Sequence, residues 1–428
     1  MPMSDHILDP VSEVSIMKSG HRSLCLLSLL LIALAWAPPA SAQTISTGQT
    51  AGGAHYRFVV PDAWNGSLVI WNHGFSLSPI GPVAAAETEL VEILAIPQGY
   101  AVAASSYQQT GWALFKSNQD LEQMVRVFEV EFGVPDEVIL IGASLGGIVT
   151  AAALEKADLG NVTGALTICG AVAGSRNWDG ALDLRLVYDL VCDKKKTRIA
   201  GGAKGLEKGS TLTPADVAKR VNACFGLDKD NPKKKHKKRL AEFLGLIDIP
   251  AEFVHINMAY VTFAMADLVY DKKKMKGKPG SGNQNVDYGN ADANANIARF
   301  EPRKSKARRL GKNYTPNGKV GNTKIISLHT DKDGLVIIEN ESEWAKVVPP
   351  DQLTVAVVVE AQASHCGFTN AEIIGSWEAL KTWIDSGVQP TAEDLQESCL
   401  VWDILGPGPC RIDPDFVIPD MDGRIRPR

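Results

Sequence analysis

The chain reads as an α/β protein: a mostly parallel sheet covered on both faces by helices, with a helical insertion in its second half. Three observations predict this. Short apolar runs, the mark of strands buried on both faces, alternate with amphipathic helical stretches between residues 55 and 170. That alternation stops between Ala171 and Val320, then resumes as far as residue 387. At 428 residues with 45% hydrophobic content, the chain can bury one large core and an accessory region besides.

Residues 1–42 are set apart from the fold. Lys18, His21 and Arg22 precede the apolar run Leu24–Trp36, which is short for a bilayer span. Ala40-Ser41-Ala42 then offers small residues at a cleavage site, so the segment reads as a signal peptide removed before Gln43, with Met17 as an alternative start. The expected compartment is extracellular or periplasmic, with no stable membrane insertion after cleavage. Cys25 lacks the small residues before it that a lipoprotein site needs.

From residue 43 to 170 the first part of the core unfolds in order. His55–Pro61 and Ser67–His73 read as strands joined by the turn Ala63-Trp64-Asn65-Gly66. Val83–Leu94 is an expected helix and Tyr100–Ser106 a buried strand. Ser117 to Asp120 reads as a capped helix start, followed by the stripe Leu121, Met124, Val125, Phe128 and Phe132. Val138–Ile141 is the next strand, then a helix of small and β-branched residues, then the strand Val162–Cys169. Residues 171–320 carry basic runs and a polar Gly/Asn/Ala segment, and read as a cap over the sheet. Within them Thr213-Pro214 starts one helix, and Pro250–Tyr270 is apolar nearly all round, so it must be buried. The second part of the core, 321–388, holds the strands Thr323–His329 and Leu353–Val359 around an amphipathic helix over Glu339–Val347. A last helix is capped at Thr369 with the stripe Ile373, Trp377, Leu380 and Ile384. The tail, 389–428, is rich in Pro and Asp and is expected to wrap the surface.

Bulk charge excludes little but points nowhere special: a formal charge of −5 gives no general pull toward nucleic acid or membrane. The basic runs read as solvated loops, with recruitment of an acidic substrate or surface as the alternative. Six cysteines follow the leader, an even count that suggests disulfides in an exported chain, with fifteen pairings open. Cys399 with Cys410 can staple the tail and Cys192 with Cys224 the insertion, which leaves Cys169 and Cys366. No Cys or His spacing suggests zinc, and no cofactor is implied.

The stretch that carries chemistry is Glu137–Thr150, EVILIGASLGGIVT. A buried strand runs straight into Gly142-Ala143-Ser144-Leu145-Gly146 and then a helix. Strand, G-x-S-x-G, helix is a nucleophile elbow: small residues fit a sharp turn that holds the Ser144 hydroxyl clear of the backbone at the positive end of a helix. A serine needs a base, and the base needs an orienting group. His55, His329, His236 and His255 lie in strands, among lysines or on the apolar helix, and read as structural or solvated. His73 suits a loop beside an oxyanion. His365 follows the last strand in the short loop Ala363–Gly367, where a base at the C-terminal edge of a parallel sheet belongs. The acid is sought after the strand ending at His329, in Thr330–Val336. Asp333 is the first choice and Asp331 the rival, with an Asx-type turn as the plain structural role of either. Two backbone amides would face a developing oxyanion: that of Leu145, and that of Phe75 after His73-Gly74. Tyr107 and Trp112 can line the mouth.

These residues together, in the order Ser144, Asp333, His365 with His73-Gly74-Phe75 upstream, resemble the α/β-hydrolase superfamily over roughly residues 50–170 and 322–387. The resemblance implies an eight-stranded, mostly parallel sheet with a lid inserted after the sixth strand, and acyl-enzyme chemistry without metal or cofactor. It leaves the substrate open, because that superfamily hosts esterases, lipases and peptidases alike. His365-Cys366 is similar to the His-Cys pair of tannases and feruloyl esterases, where cysteines beside serine and histidine are bridged. Here Ala143 precedes the serine, and Cys169 is the candidate partner for Cys366.

The expectation is a secreted carboxylic ester hydrolase acting on a small-molecule or polymeric ester. The alternatives are a serine peptidase of the same fold and a non-catalytic binding protein on a hydrolase scaffold. Oligomeric state is open.

Overall fold

Val138, Ile139, Leu140 and Ile141 lie at the centre of an eight-stranded sheet, and the side chains of successive residues enter different cores. The structure is a computed structural model that describes residues 43–77, 88–205, 210–406 and 408–428. The expected leader falls outside the described residues, as does the start of the helix expected over Val83–Leu94. Gln43–Arg428 form one unit.

The strands are β1 (Gln43–Gln49), β2 (His55–Pro61), β3 (Ser67–Asn72), β4 (Ala101–Ser105), β5 (Glu137–Ala143), β6 (Val162–Ile168), β7 (Lys324–Thr330) and β8 (Leu353–Val358). Their order is β1-β2-β4-β3-β5-β6-β7-β8. β1 pairs antiparallel with β2 and β2 with β4, while every pair from β4–β3 to β7–β8 is parallel. Helices cover both faces. α1 (Glu89–Ala95), α11 (Asn370–Ser386) and α12 (Ala392–Ile404) meet Val69, Ile139, Leu166 and Ile326. On the other face α2 (Ser117–Phe132) and α3 (Leu145–Lys156) meet Phe58, Leu68, Leu140 and Ala165.

Between β6 and β7 the chain forms α4 (Arg176–Val191), α5 (Pro214–Phe225), α6 (Lys234–Ile247), α7 (Val254–Tyr270), α8 (Ala291–Asn296) and α9 (Lys304–Tyr314). The helical stretch Ala251–Tyr270, which ends in α7, is long and apolar enough to cross a membrane by length and composition. Its residues Val254, Met258, Val261, Met265 and Leu268 are instead buried in the same core as α2 and α3. Thr213 caps α5 with a full capping box and Pro214 at the first turn, as expected.

Several expectations change. β1, QTISTGQ, has no apolar run because it is an edge strand open to solvent on most of its length. Ser117 does not cap its helix: Lys116 stands at the N-cap, and Asp120 accepts from the backbone and side chain of Gln108 instead. The helix expected over Glu339–Val347 shrinks to α10 (Asn340–Ala345). His236, expected among solvated lysines, is buried, since α6 turns it inward. The tail does more than wrap the surface. It contains α12, and its end inserts Met421 and Ile425 against Ala173.

Candidate active site

Ser144 follows β5 with φ 56° and ψ −117°, a conformation sparsely populated by any side-chain-bearing residue. The turn is held by Ser144 N–H to the Ile168 carbonyl (3.0 Å) and Ala171 N–H to the Ser144 carbonyl (3.1 Å). The flanking glycines are required by contact. A Cβ on Gly146 would strike the backbone carbonyl of Asn72, and one on Gly142 that of Gly146. Gly74 passes beside the serine, where its Cβ would stand 3.6 Å from that of Ser144.

The two other chosen side chains arrive from the loops after β7 and β8. His365 Nε2 lies 2.9 Å from Ser144 Oγ. His365 Nδ1 lies 2.6 Å from Asp333 Oδ2. Asp333 is buried, and its Oδ1 accepts from the amides of Leu335 (2.8 Å) and Val336 (2.9 Å). The rival Asp331 faces elsewhere, accepting from Glu360 N–H at 2.8 Å. With Nδ1–H donated to the carboxylate, Nε2 presents its lone pair to the serine hydroxyl.

Leu145 is the first residue of α3, so its amide has no partner inside the helix and points along the helix axis toward the site. Phe75, Leu145, Ser144 and His365 line one cavity of about 790 Å³. Phe75, Trp112 and Tyr260 pack ring on ring there, with centroids 5.4, 5.1 and 5.8 Å apart. Tyr107, expected at the mouth, is buried and stacks on His73 at 4.3 Å. Two contacts tie α7 to the site. Asn257 donates to the Gly334 carbonyl (2.7 Å), and Asp267 accepts from Trp112 N–H (2.9 Å).

The cysteines lie in three pairs at disulfide distance: Cys169 with Cys366, Cys192 with Cys224, and Cys399 with Cys410. The first joins the end of β6 to the residue after His365. Both its members have positive φ (47° and 59°), so backbone strain gathers at Ser144, Cys169 and Cys366. Cys169, His365 and Cys366 offer heteroatoms within 4.8 Å of one another, but sulfurs bonded to each other are not thiolate ligands.

Sequence reasoning missed several groups around the site. Glu360 receives the Ser364 hydroxyl and amide and so braces the His365 loop. The tail supplies a wall of the cavity through Pro419, Asp420, Arg424 and Ile425. Arg424 binds Glu339 at 2.7 Å, and Arg426 and Arg428 bind Asp183 and Asp179 on α4. Burial of Asp183 pushes its carboxyl up to about 6, with Arg426 opposing. No local motif announces contacts between segments this far apart in the chain.

Sheet order, the elbow after β5, and the loops after β7 and β8 define the α/β-hydrolase fold. Solved structures similar to it include lipase A of Candida antarctica, at 13% identity over 90% of this chain and 83% of that one, TM-score 0.41. Feruloyl esterase B of Aspergillus oryzae shares 13% identity over 81% of this chain and 82% of its own, TM-score 0.40. An esterase of Pyrococcus furiosus shares 11% over 84% and 92%, TM-score 0.38. No protein-family model matches the chain, and no curated protein sequence does.

Proposed function

We propose that the chain is an exported serine hydrolase that cleaves carboxylic esters, with residues 171–320 serving as a cap over its site. The observation that carries this reading is the hydrogen-bonded line Ser144–His365–Asp333 at the wall of the 790 Å³ cavity. In this reading Ser144 Oγ attacks the ester carbonyl carbon while His365 Nε2 takes its proton. The oxyanion is received by the amides of Leu145 and Phe75. Collapse breaks the bond to the alkoxy oxygen, which leaves as alcohol with the proton from Nε2. Water then attacks the acyl-enzyme with His365 again as base, and Ser144 is released with the acid. Asp333 holds the imidazole in the tautomer this sequence needs.

The rings of Phe75, Trp112 and Tyr260 beside Ser144 favour an apolar or aromatic acyl group. Three disulfide pairs fit an oxidising compartment and hence export.

The test is labelling of the purified mature protein with a fluorophosphonate probe, beside Ser144→Ala and His365→Ala. Labelling of the wild type abolished in both variants supports the reading, and an unlabelled wild type overturns it. A panel of p-nitrophenyl esters against aminoacyl-nitroanilides decides the bond. Preference for the anilides replaces the esterase with a peptidase.

A further inference from the structure

Behind Asp333 lies a second, fully buried ion pair that the proposed reaction does not use. His329, at the end of β7, has both ring nitrogens committed. Nε2 lies 2.8 Å from the Val336 carbonyl and Nδ1 2.8 Å from Glu341 Oε1 on α10. A carbonyl oxygen only accepts, so Nε2 carries its hydrogen. A second proton must then lie between Nδ1 and the carboxylate, since two bare lone pairs do not approach to that distance. Neither side chain is exposed, and the other oxygen of Glu341 has no hydrogen-bond partner among the described residues. With that proton on Nδ1, His329 is the counter-charge that keeps this carboxylate inside the protein. Burial alone would drive the imidazolium to lose its proton. The bond to Glu341 and the charges of Glu341 and Asp333 outweigh it, so His329 holds its proton above the usual histidine range.

The same ring faces the triad acid. His329 Nε2 stands 3.8 Å from Asp333 Oδ2, the oxygen that receives His365. Val336 closes the arrangement, donating its N–H to Asp333 Oδ1 while its carbonyl receives His329.

We infer that His329 and Glu341 are a positioning pair for the triad: His329, held as a cation by Glu341, fixes the loop that carries Asp333 and offsets the negative charge that Asp333 presents to His365. The inference rests on the triad reading above. The charged groups facing His329 are Glu341 from α10 and Asp333 from its own loop. His365 is faced by Asp333, and its loop is bordered by Glu360, Asp331, Lys332 and Arg411.

The test is Glu341→Gln, which keeps shape and hydrogen bonding but removes the counter-ion. His329 then becomes neutral, Asp333 acts on His365 without offset, and protonated His365 is favoured. The acid limb of kcat/KM for a p-nitrophenyl ester moves to higher pH by on the order of one pH unit. A merely structural role lowers the rate equally at every pH and leaves the limb in place, and that result overturns the inference. Ring ¹⁵N NMR on the wild type supplies a readout independent of turnover. His329 is expected to keep its imidazolium signature to higher pH than an ordinary histidine and to lose it in Glu341→Gln, while His365 is expected to titrate at higher pH in that variant than in the wild type. A wild-type His329 that loses its proton within or below the usual histidine range overturns the inference even in an active enzyme. An inactive wild type with a charged His329 and a displaced His365 titration sinks the esterase reading and leaves the pair standing.

Discussion

Gly146 is the residue at which the elbow has least tolerance. Its missing Cβ would occupy the space of the Asn72 carbonyl, a β3 backbone atom that cannot give way without moving the sheet. Gly146→Ala should cost about 1–3 kcal/mol in urea denaturation, as overpacking does, and should weaken probe labelling of Ser144. Ser144→Ala, by contrast, should leave stability intact and lower kcat by roughly 10⁵-fold or more. Asp183 makes a prediction about pH. Its folded value is raised from 3.8 to about 6, so the folded state holds its proton more tightly than the unfolded chain. That contribution is full below pH 3.8, and is lost as pH rises through about 6. The stability of the wild type relative to Asp183→Asn should therefore fall by roughly 3 kcal/mol across that window, read from denaturation midpoints at each pH. Ser144 and His365 were legible because each sits where chain punctuation is strong: one in a glycine turn after a buried strand, the other in a short loop after the last strand. Asp333 was separable from Asp331 only in space. Glu341 carried no signal, since its role depends on a histidine twelve residues away on another element.

Among elements, the loop of His365 depends most on remote support. Cys366 joins Cys169 across a sequence separation of 197 residues, so the residue next to His365 is tied to the end of β6. Cys169→Ser with Cys366→Ser should cost about 2–5 kcal/mol of stability and lower kcat more than KM, because the His365 loop loses its anchor. Opening Cys192–Cys224, which closes only 32 residues within the insertion, should lower stability with a smaller effect on kcat. Intact-mass mapping of the oxidised and reduced variants checks both. The interior strands were readable as apolar runs because they are buried on both faces. β1 was not, because an edge strand facing water carries the composition of a loop. α12 was hidden in a Pro- and Asp-rich tail, although Thr391 and Asp394 form a capping box there.

At the scale of the molecule, charge is unevenly shared. Residues 191–320 hold 28 of the 44 Lys and Arg residues, so the sheet-bearing remainder is acidic. The tail uses that contrast locally: Arg424, Arg426 and Arg428 bind carboxylates of the 339 region and α4, and Asp422 binds Arg176. Deleting residues 419–428 should lower the melting temperature and raise KM for p-nitrophenyl esters of long acyl chains more than for the acetate, since one cavity wall goes with them.

The placement of the insertion between β6 and β7 has a consequence in time. Thr167 meets Ser327 across 160 residues, and Ser144 meets His365 across 221. Contacts that distant form late, because the chain between them must first be ordered. The elbow, built from β5, α3 and their neighbours, can assemble from the first part of the core alone. The loops that carry Asp333 and His365 arrive only when β7 and β8 dock. During folding the turn that holds Ser144 is thus formed before His365 reaches it, and the line Ser144–His365–Asp333 closes late in assembly.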